Sequence, residues 1–203
     1  MVTVTETGSG APRVYLAGPE VFFPDALAQG AEKKRLCAKF GFTGVFPLDN
    51  TIADAASLSP EALARAISHG NESLMRSCDL MIANCTPFRG VSMDAGTAFE
   101  IGFMRALGRP VLGYSNVAAD HAARVRATPE AARAWWDQET RQADIEDFGL
   151  AENLMIAIAV LDTYGRFVLR DVAPDRVLSD LDGFRDCLAL AADMFRERER
   201  VRR

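Results

Sequence analysis

The sequence predicts one α/β domain built on a doubly wound, mainly parallel five-stranded sheet with helices on both faces. Three observations carry that expectation. Short apolar runs alternate with longer helical stretches between residues 14 and 114, and such a βαβα rhythm implies parallel strands joined by crossover helices. Glycine or proline punctuates the change-overs, at Gly18-Pro19, Gly41, Pro47, Pro60 and Gly108. The length of 203 residues and hydrophobic content of 49% suit a single core of ordinary size.

The elements follow in order. Val14 to Ala17 reads as a first strand, broken by Gly18-Pro19. Ala26 to Phe40 forms a first helix that Gly41 ends, and Gly44-Val45-Phe46 a second strand closed by Pro47. A second helix starts with Ser59 as its cap and Pro60 at its first position, and runs to Ser77. Asp79 to Asn84 makes a third strand, with Asp79 itself a turn residue. Asp94 to Leu107 makes a third helix, capped by Asp94 and ended by Gly108, and Pro110 to Tyr114 a fourth strand. The stretch 118–142, alanine-rich and carrying Trp135-Trp136, reads as a partly helical excursion over a site or a neighbour. Gly149 to Leu161 and Asp175 to Arg198 read as two last helices, with a short strand at Arg166 to Leu169. This order belongs to the flavodoxin-like or Rossmann-like class.

Composition narrows the function. A net charge of −5 and a pI near 5.1 argue against a nucleic-acid surface, and the sign-alternating Arg196 to Arg200 reads as a solvated helix end. Cys37, Cys78, Cys85 and Cys187 show no CxxC spacing and read as reduced structural thiols of a cytoplasmic protein. With only His69 and His121, no metal site is expected. No apolar run reaches membrane-spanning length. Residues 1–12 are polar, lack an apolar signal core and read as a disordered tail, which leaves 13–203 as one domain.

The most informative segment is Asp94-Ala95-Gly96-Thr97-Ala98-Phe99-Glu100. Small and apolar residues surround Glu100 as far as Met104, so the helix is expected to be buried nearly all round, where an unpaired carboxylate is costly and usually kept for chemistry. Glu100 leans back over the turn of Gly96 and Thr97, where the missing side chain of Gly96 leaves room for a ligand. Asp94 and Glu100 lie beyond the carboxyl end of the third strand, where open α/β sheets bind ligands. On a regular helix they would face about 120° apart, so a capping Asp94 can approach a ligand from one side and Glu100 from another. Arg89, in the loop before them, is expected to pair with a local acid rather than to bind an anion.

Tyr15-Leu16-Ala17-Gly18-Pro19, Asn71, the Asp94 to Glu100 segment and Asn153-Leu154-Met155 together resemble the nucleoside 2-deoxyribosyltransferase family. Phe46-Pro47-Leu48-Asp49-Asn50, Pro87-Phe88-Arg89-Gly90 and Gly108-Arg109-Pro110-Val111 extend the match, which runs in the right order from about residue 14 to 160. The resemblance implies cleavage of the N-glycosidic bond of a 2′-deoxynucleoside and transfer of the sugar to a free nucleobase, without a cofactor. Glu100 would be the nucleophile, Tyr15 its orienting partner and Asp94 the acid and base. Asn71 would address the base. Gly18, Gly96 and Thr97 would bind substrate. Asn153, with Met155, would reach the sugar from a neighbouring subunit, which implies a homodimer or higher homo-oligomer with shared active sites. Two carboxyl groups with separate roles fit a retaining double displacement. Two other readings stay open: a hydrolase of the same fold acting on nucleoside 5′-monophosphates, and a non-catalytic nucleotide-binding sensor, since a fold alone does not fix function.

Overall fold

The computed structural model describes residues 10–128, 144–163 and 165–202. Five strands alternate with six helices among them: β1 (Arg13–Ala17), α1 (Ala26–Lys39), β2 (Thr43–Val45), α2 (Pro60–Arg76), β3 (Leu80–Asn84), α3 (Ala95–Ala106), β4 (Val111–Ser115), α4 (His121–Ala127), α5 (Leu154–Asp162), β5 (Phe167–Leu169) and α6 (Asp182–Arg202). The strands form one sheet in the order β2-β1-β3-β4-β5, every pair parallel. The chain leaves β1 toward β2 on one side and later returns to β3 on the other, so the order reverses at β1 and opens a crevice beyond the strand ends.

β3 and β4 are buried along their whole length, as expected of strands covered on both faces. Alternation along each strand sorts the side chains. Val14, Leu16, Leu80, Ile82, Leu112 and Tyr114 pack against α1 and α6. Tyr15, Ala17, Met81, Ala83 and Val111 pack on the opposite face against α2, α3 and α5. Tyr15 therefore points to the face that carries Glu100.

The helix starts follow the side-chain signals. Ser59 accepts a hydrogen bond from the Ala62 N–H ahead of Pro60, Asp94 accepts from the Thr97 N–H, and Asp120 from the Ala123 N–H. Gly108, at φ 67°, ends α3 in the left-handed conformation that glycine adopts without penalty. Asp79 acts as the turn residue before β3, its Oδ2 accepting the Arg13 N–H at 2.8 Å.

Three expectations are corrected. α5 begins at Leu154, not Gly149, because Asn153 caps it and Glu146 Oε2 accepts the N–H of Leu154 at 3.1 Å. α6 begins at Asp182 rather than Asp175; Asn116 Nδ2 takes the carbonyls of Val177 and Asp180 at 2.7 and 3.0 Å, which diverts the chain from a helical path. α3 is not buried all round: Thr97, Ile101 and Met104 face inward, but Phe99 is 59% exposed and Gly102 is exposed. At the end of the expected tail, the Pro12 carbonyl accepts the Thr43 N–H and prolongs the β1–β2 pairing. Residues 1–9 of that tail and 129–142 of the excursion, including Trp135-Trp136, lie outside the described residues; the described part of the excursion contains α4.

Candidate active site

A cavity of about 310 Å³ opens beyond the ends of β1 and β3. Gly18, Val21 and Phe22 from the turn after β1 line it, with Pro47 and Leu48 after β2, Ile67 and Asn71 from α2, and Asp94, Gly96, Thr97 and Glu100 at the start of α3. Each residue arrives for a local reason. A Cβ at Gly18 would stand 2.0 Å from Glu20 Oε2 and 2.9 Å from the Asn84 side chain, so only glycine lets the turn close over the sheet. A Cβ at Gly96 would stand 3.0 Å from Asp94 Oδ2, which would crowd the carboxyl on its cavity side. Ile67 and Asn71, four residues apart on α2, share the helix face that looks into the cavity.

Tyr15 Oη donates to Glu100 Oε1 at 2.6 Å. Burial is the largest influence on Glu100 and pushes its pKa up to about 7; the Tyr15 hydrogen bond opposes the rise, while the charges of Asp94 and Glu20 add to it. The Tyr15 hydroxyl is held well above its ordinary value by burial and by the Glu100 charge, so it remains a donor. Asp94 Oδ2 accepts both the Thr97 N–H at 2.9 Å and the Thr97 hydroxyl at 3.1 Å. Asn71 Oδ1 is buried with no hydrogen-bond partner among the described residues, although Asn71 lines the cavity.

The fold thus gathers Tyr15, Gly18, Asn71, Asp94, Gly96, Thr97 and Glu100 at one cavity. Asn153 and Met155 do not line it in the same chain. Asn153 caps α5, its Oδ1 accepting the Met155 N–H at 3.0 Å and its Nδ2 donating to Glu146 Oε2 at 2.8 Å. Met155 is 70% exposed. Arg89 departs from expectation: no ion pair to it occurs among the described residues, and its guanidinium lies over the rings of Phe22 and Phe88, 5.0 and 4.7 Å from their centroids. Phe22 and Phe88 are themselves stacked at 5.7 Å.

The sequence model of the family described as nucleoside 2-deoxyribosyltransferase matches residues 14–155, well over half of the chain and all of the cavity-lining residues. The chain belongs to the nucleoside 2-deoxyribosyltransferase family. It is 30% identical to the solved 2-desoxiribosyltransferase from Leishmania mexicana, with a TM-score of 0.53 over 71% of this chain and 85% of that one. A conserved protein from Enterococcus faecalis shares the fold at 20% identity, with a TM-score of 0.52 over 90% of this chain and 99% of its own. An uncharacterized protein of Schizosaccharomyces pombe is 36% identical over 128 residues, which make up 62% of this chain. The match spans 59% of that relative's length.

For a deoxyribosyltransferase-family chain, several residues at or near the cavity escape sequence reasoning. Val21, Phe22 and Ile67 carried no chemical signal of their own. Glu20 is fully buried with Lys33, which donates to Glu20 Oε1; Asn84 Nδ2 and the Tyr114 hydroxyl donate to the same oxygen at 2.8 and 3.3 Å. Placing Glu20 directly after the Gly18-Pro19 break was the only hint that it anchors the turn.

Proposed function

We propose that this chain transfers 2-deoxyribose from a 2′-deoxynucleoside to a free nucleobase through a covalent adduct on Glu100. The observation that carries the reading is the Glu100 carboxyl, bonded by Tyr15 and facing a cavity into which Asp94 and the unsatisfied Asn71 amide also open. In the first step the ionised Glu100 attacks the anomeric carbon from the face opposite the base. The C–N bond breaks, its electron pair leaves with the base, and Asp94 delivers the proton that the base needs. In the second step a nitrogen of the incoming base attacks the same carbon, Asp94 takes its proton, and the Glu100 carboxylate departs. Two inversions retain the configuration. Burial of Glu100 favours attack, because a poorly solvated carboxylate has little hydration to shed before it reaches carbon.

The second part of the proposal is a two-fold dimer. Phe99, Met155, Ile158 and Leu161 are exposed on α3 and α5, which pack side by side, and none of the described residues covers these apolar side chains. The face runs from the residue before Glu100 to the residues after Asn153. An isologous contact through it would bring the α5 start of each subunit toward the partner's α3, and so Asn153 toward the other cavity.

Turnover of deoxyinosine with added adenine, followed by chromatography, tests the reading. New deoxyadenosine is the expected product. Free deoxyribose without deoxyadenosine would make the protein a hydrolase, and no turnover would leave it a binding module.

A further inference from the structure

Three consecutive residues just ahead of Asp94 are tied to one buried ion pair that takes no part in the cavity. Arg124 of α4 donates through Nε to the Val91 carbonyl at 2.7 Å. Ser92 Oγ donates to Glu152 Oε1 at 2.7 Å, and the Met93 N–H to Glu152 Oε2 at 3.1 Å. Arg124 Nη2 closes the pair on Glu152 Oε2 at 2.9 Å. Glu152 Oε1 also accepts the Asn153 N–H at 3.0 Å, and His121 Nδ1 lies 3.2 Å from it. Glu152 is fully buried, yet both its oxygens are occupied by donors from three separate stretches of chain.

A buried ion pair is a poor way to gain stability, because apolar residues of the same size do as well or better. It is a good way to fix a direction, since each hydrogen bond constrains both distance and angle. Here the fixed element is the peptide immediately before Asp94, whose backbone turns from the loop into the cap of α3. We propose that Glu152 is a positioning residue for Asp94: by holding Ser92 and Met93 it aims the Asp94 carboxyl at the base. The inference rests on the reading of Asp94 as proton donor. A shift of about 1 Å in such a group lowers rates by up to about a hundredfold.

A pair of substrates separates aiming from general support. The base of deoxyinosine must be protonated as it leaves. The base of 7-methyl-2′-deoxyguanosine already carries a positive charge and leaves neutral, with no proton from Asp94. Base release from both in a single turnover, with enzyme in excess so that only the first step is read, is followed by absorbance in wild type, Glu152→Gln and Ser92→Ala. Gln keeps the shape of Glu but turns one acceptor into a donor that faces other donors. Glu152→Gln is expected to lower the single-turnover rate of base release from deoxyinosine by about thirtyfold or more, with the methylated substrate within about threefold of wild type. Ser92→Ala, which removes one bond of the set, is expected to show the same selectivity at about three- to tenfold. Equal slowing of both substrates, or slowing of neither, overturns the proposal. Should Glu152→Gln fail to fold, Ser92→Ala decides alone. Wild type that releases base from neither substrate overturns the reading of Asp94, and this inference with it.

Discussion

Tyr15 and Glu100, 85 residues apart, meet across the β1–α3 packing at 2.6 Å, and that contact opposes the effect of burial on the carboxyl. Tyr15→Phe removes the opposing influence, so the Glu100 pKa is expected to rise further above about 7. A hydrogen bond to a charged group stabilises it by about 1.5–3 kcal/mol, so the acid limb of kcat/KM should move up by about one pH unit or more. The loss of activity is then larger at about pH 6 than at about pH 9. A profile lowered equally at all pH values would show that Tyr15 does not act on the ionisation of Glu100.

Glu100 sets activity against stability. Its folded pKa of about 7 lies above the ordinary 4.5. Between those values the folded protein keeps a proton that the unfolded chain has released. The group's contribution therefore favours the fold at low pH and is lost as pH rises through about 7. Glu100→Gln is expected to abolish exchange, to match wild-type stability near pH 4, and to exceed it by about 1–3 kcal/mol near pH 8. Denaturant unfolding at the two pH values checks the stability, and retention of more than a few per cent of activity would exclude Glu100 as nucleophile.

The Glu20–Lys33 pair makes a separate prediction about stability. Lys33→Met leaves the Glu20 carboxylate buried without its cation and should destabilise by about 3–5 kcal/mol. Adding Glu20→Gln removes the stranded charge, and the double variant should recover most of that loss. Urea unfolding of the single and double variants measures the difference. A double variant as unstable as the single one would mean that packing of the Lys33 stem, not charge, is what α1 supplies.

The dimer is tested by mixing. Glu100→Ala and Asn153→Ala are each expected to be nearly inactive alone. Unfolded together and refolded, random pairing makes about half the dimers mixed, each with one intact site, so about a quarter of wild-type activity should return. No recovery after confirmed subunit exchange would place Asn153 in its own chain's pocket or outside any pocket.

Much of the fold was legible because its signals are local. Ser59-Pro60 and Asp94 announce helix starts, Gly41 and Gly108 announce ends, and the apolar runs at Leu16, Ile82 and Leu112 could only be buried strands. The cavity was legible through Asp94, Gly96 and Glu100, which sit within one short segment, and through Tyr15, which the alternation of β1 turns toward them. What was missed depends on distant partners. The start of α5 is set by Glu146 and Asn153 acting together, and the start of α6 by Asn116, just past the end of β4 and more than 60 residues earlier in sequence. Arg89 offered a charge and invited an acid as its partner; the rings of Phe22 and Phe88, one of them 67 residues away in sequence, took that place. Glu152 meets Ser92 across 60 positions, and no local pattern announces such a pairing.

The two-sided packing of β1 gives the site a rule of parity. Tyr15 reaches Glu100 because it is odd in a strand whose even neighbours, Val14 and Leu16, serve the other core. Sliding β1 by a single position would turn an aliphatic side chain toward Glu100 and send the phenol among the aliphatics under α6. A slide of two would restore the facing but change the depth. Among descendants of this chain, length changes should therefore accumulate in the connections after the strands and be absent within Val14 to Ala17, where one inserted residue would uncouple the nucleophile without disturbing a single residue of α3.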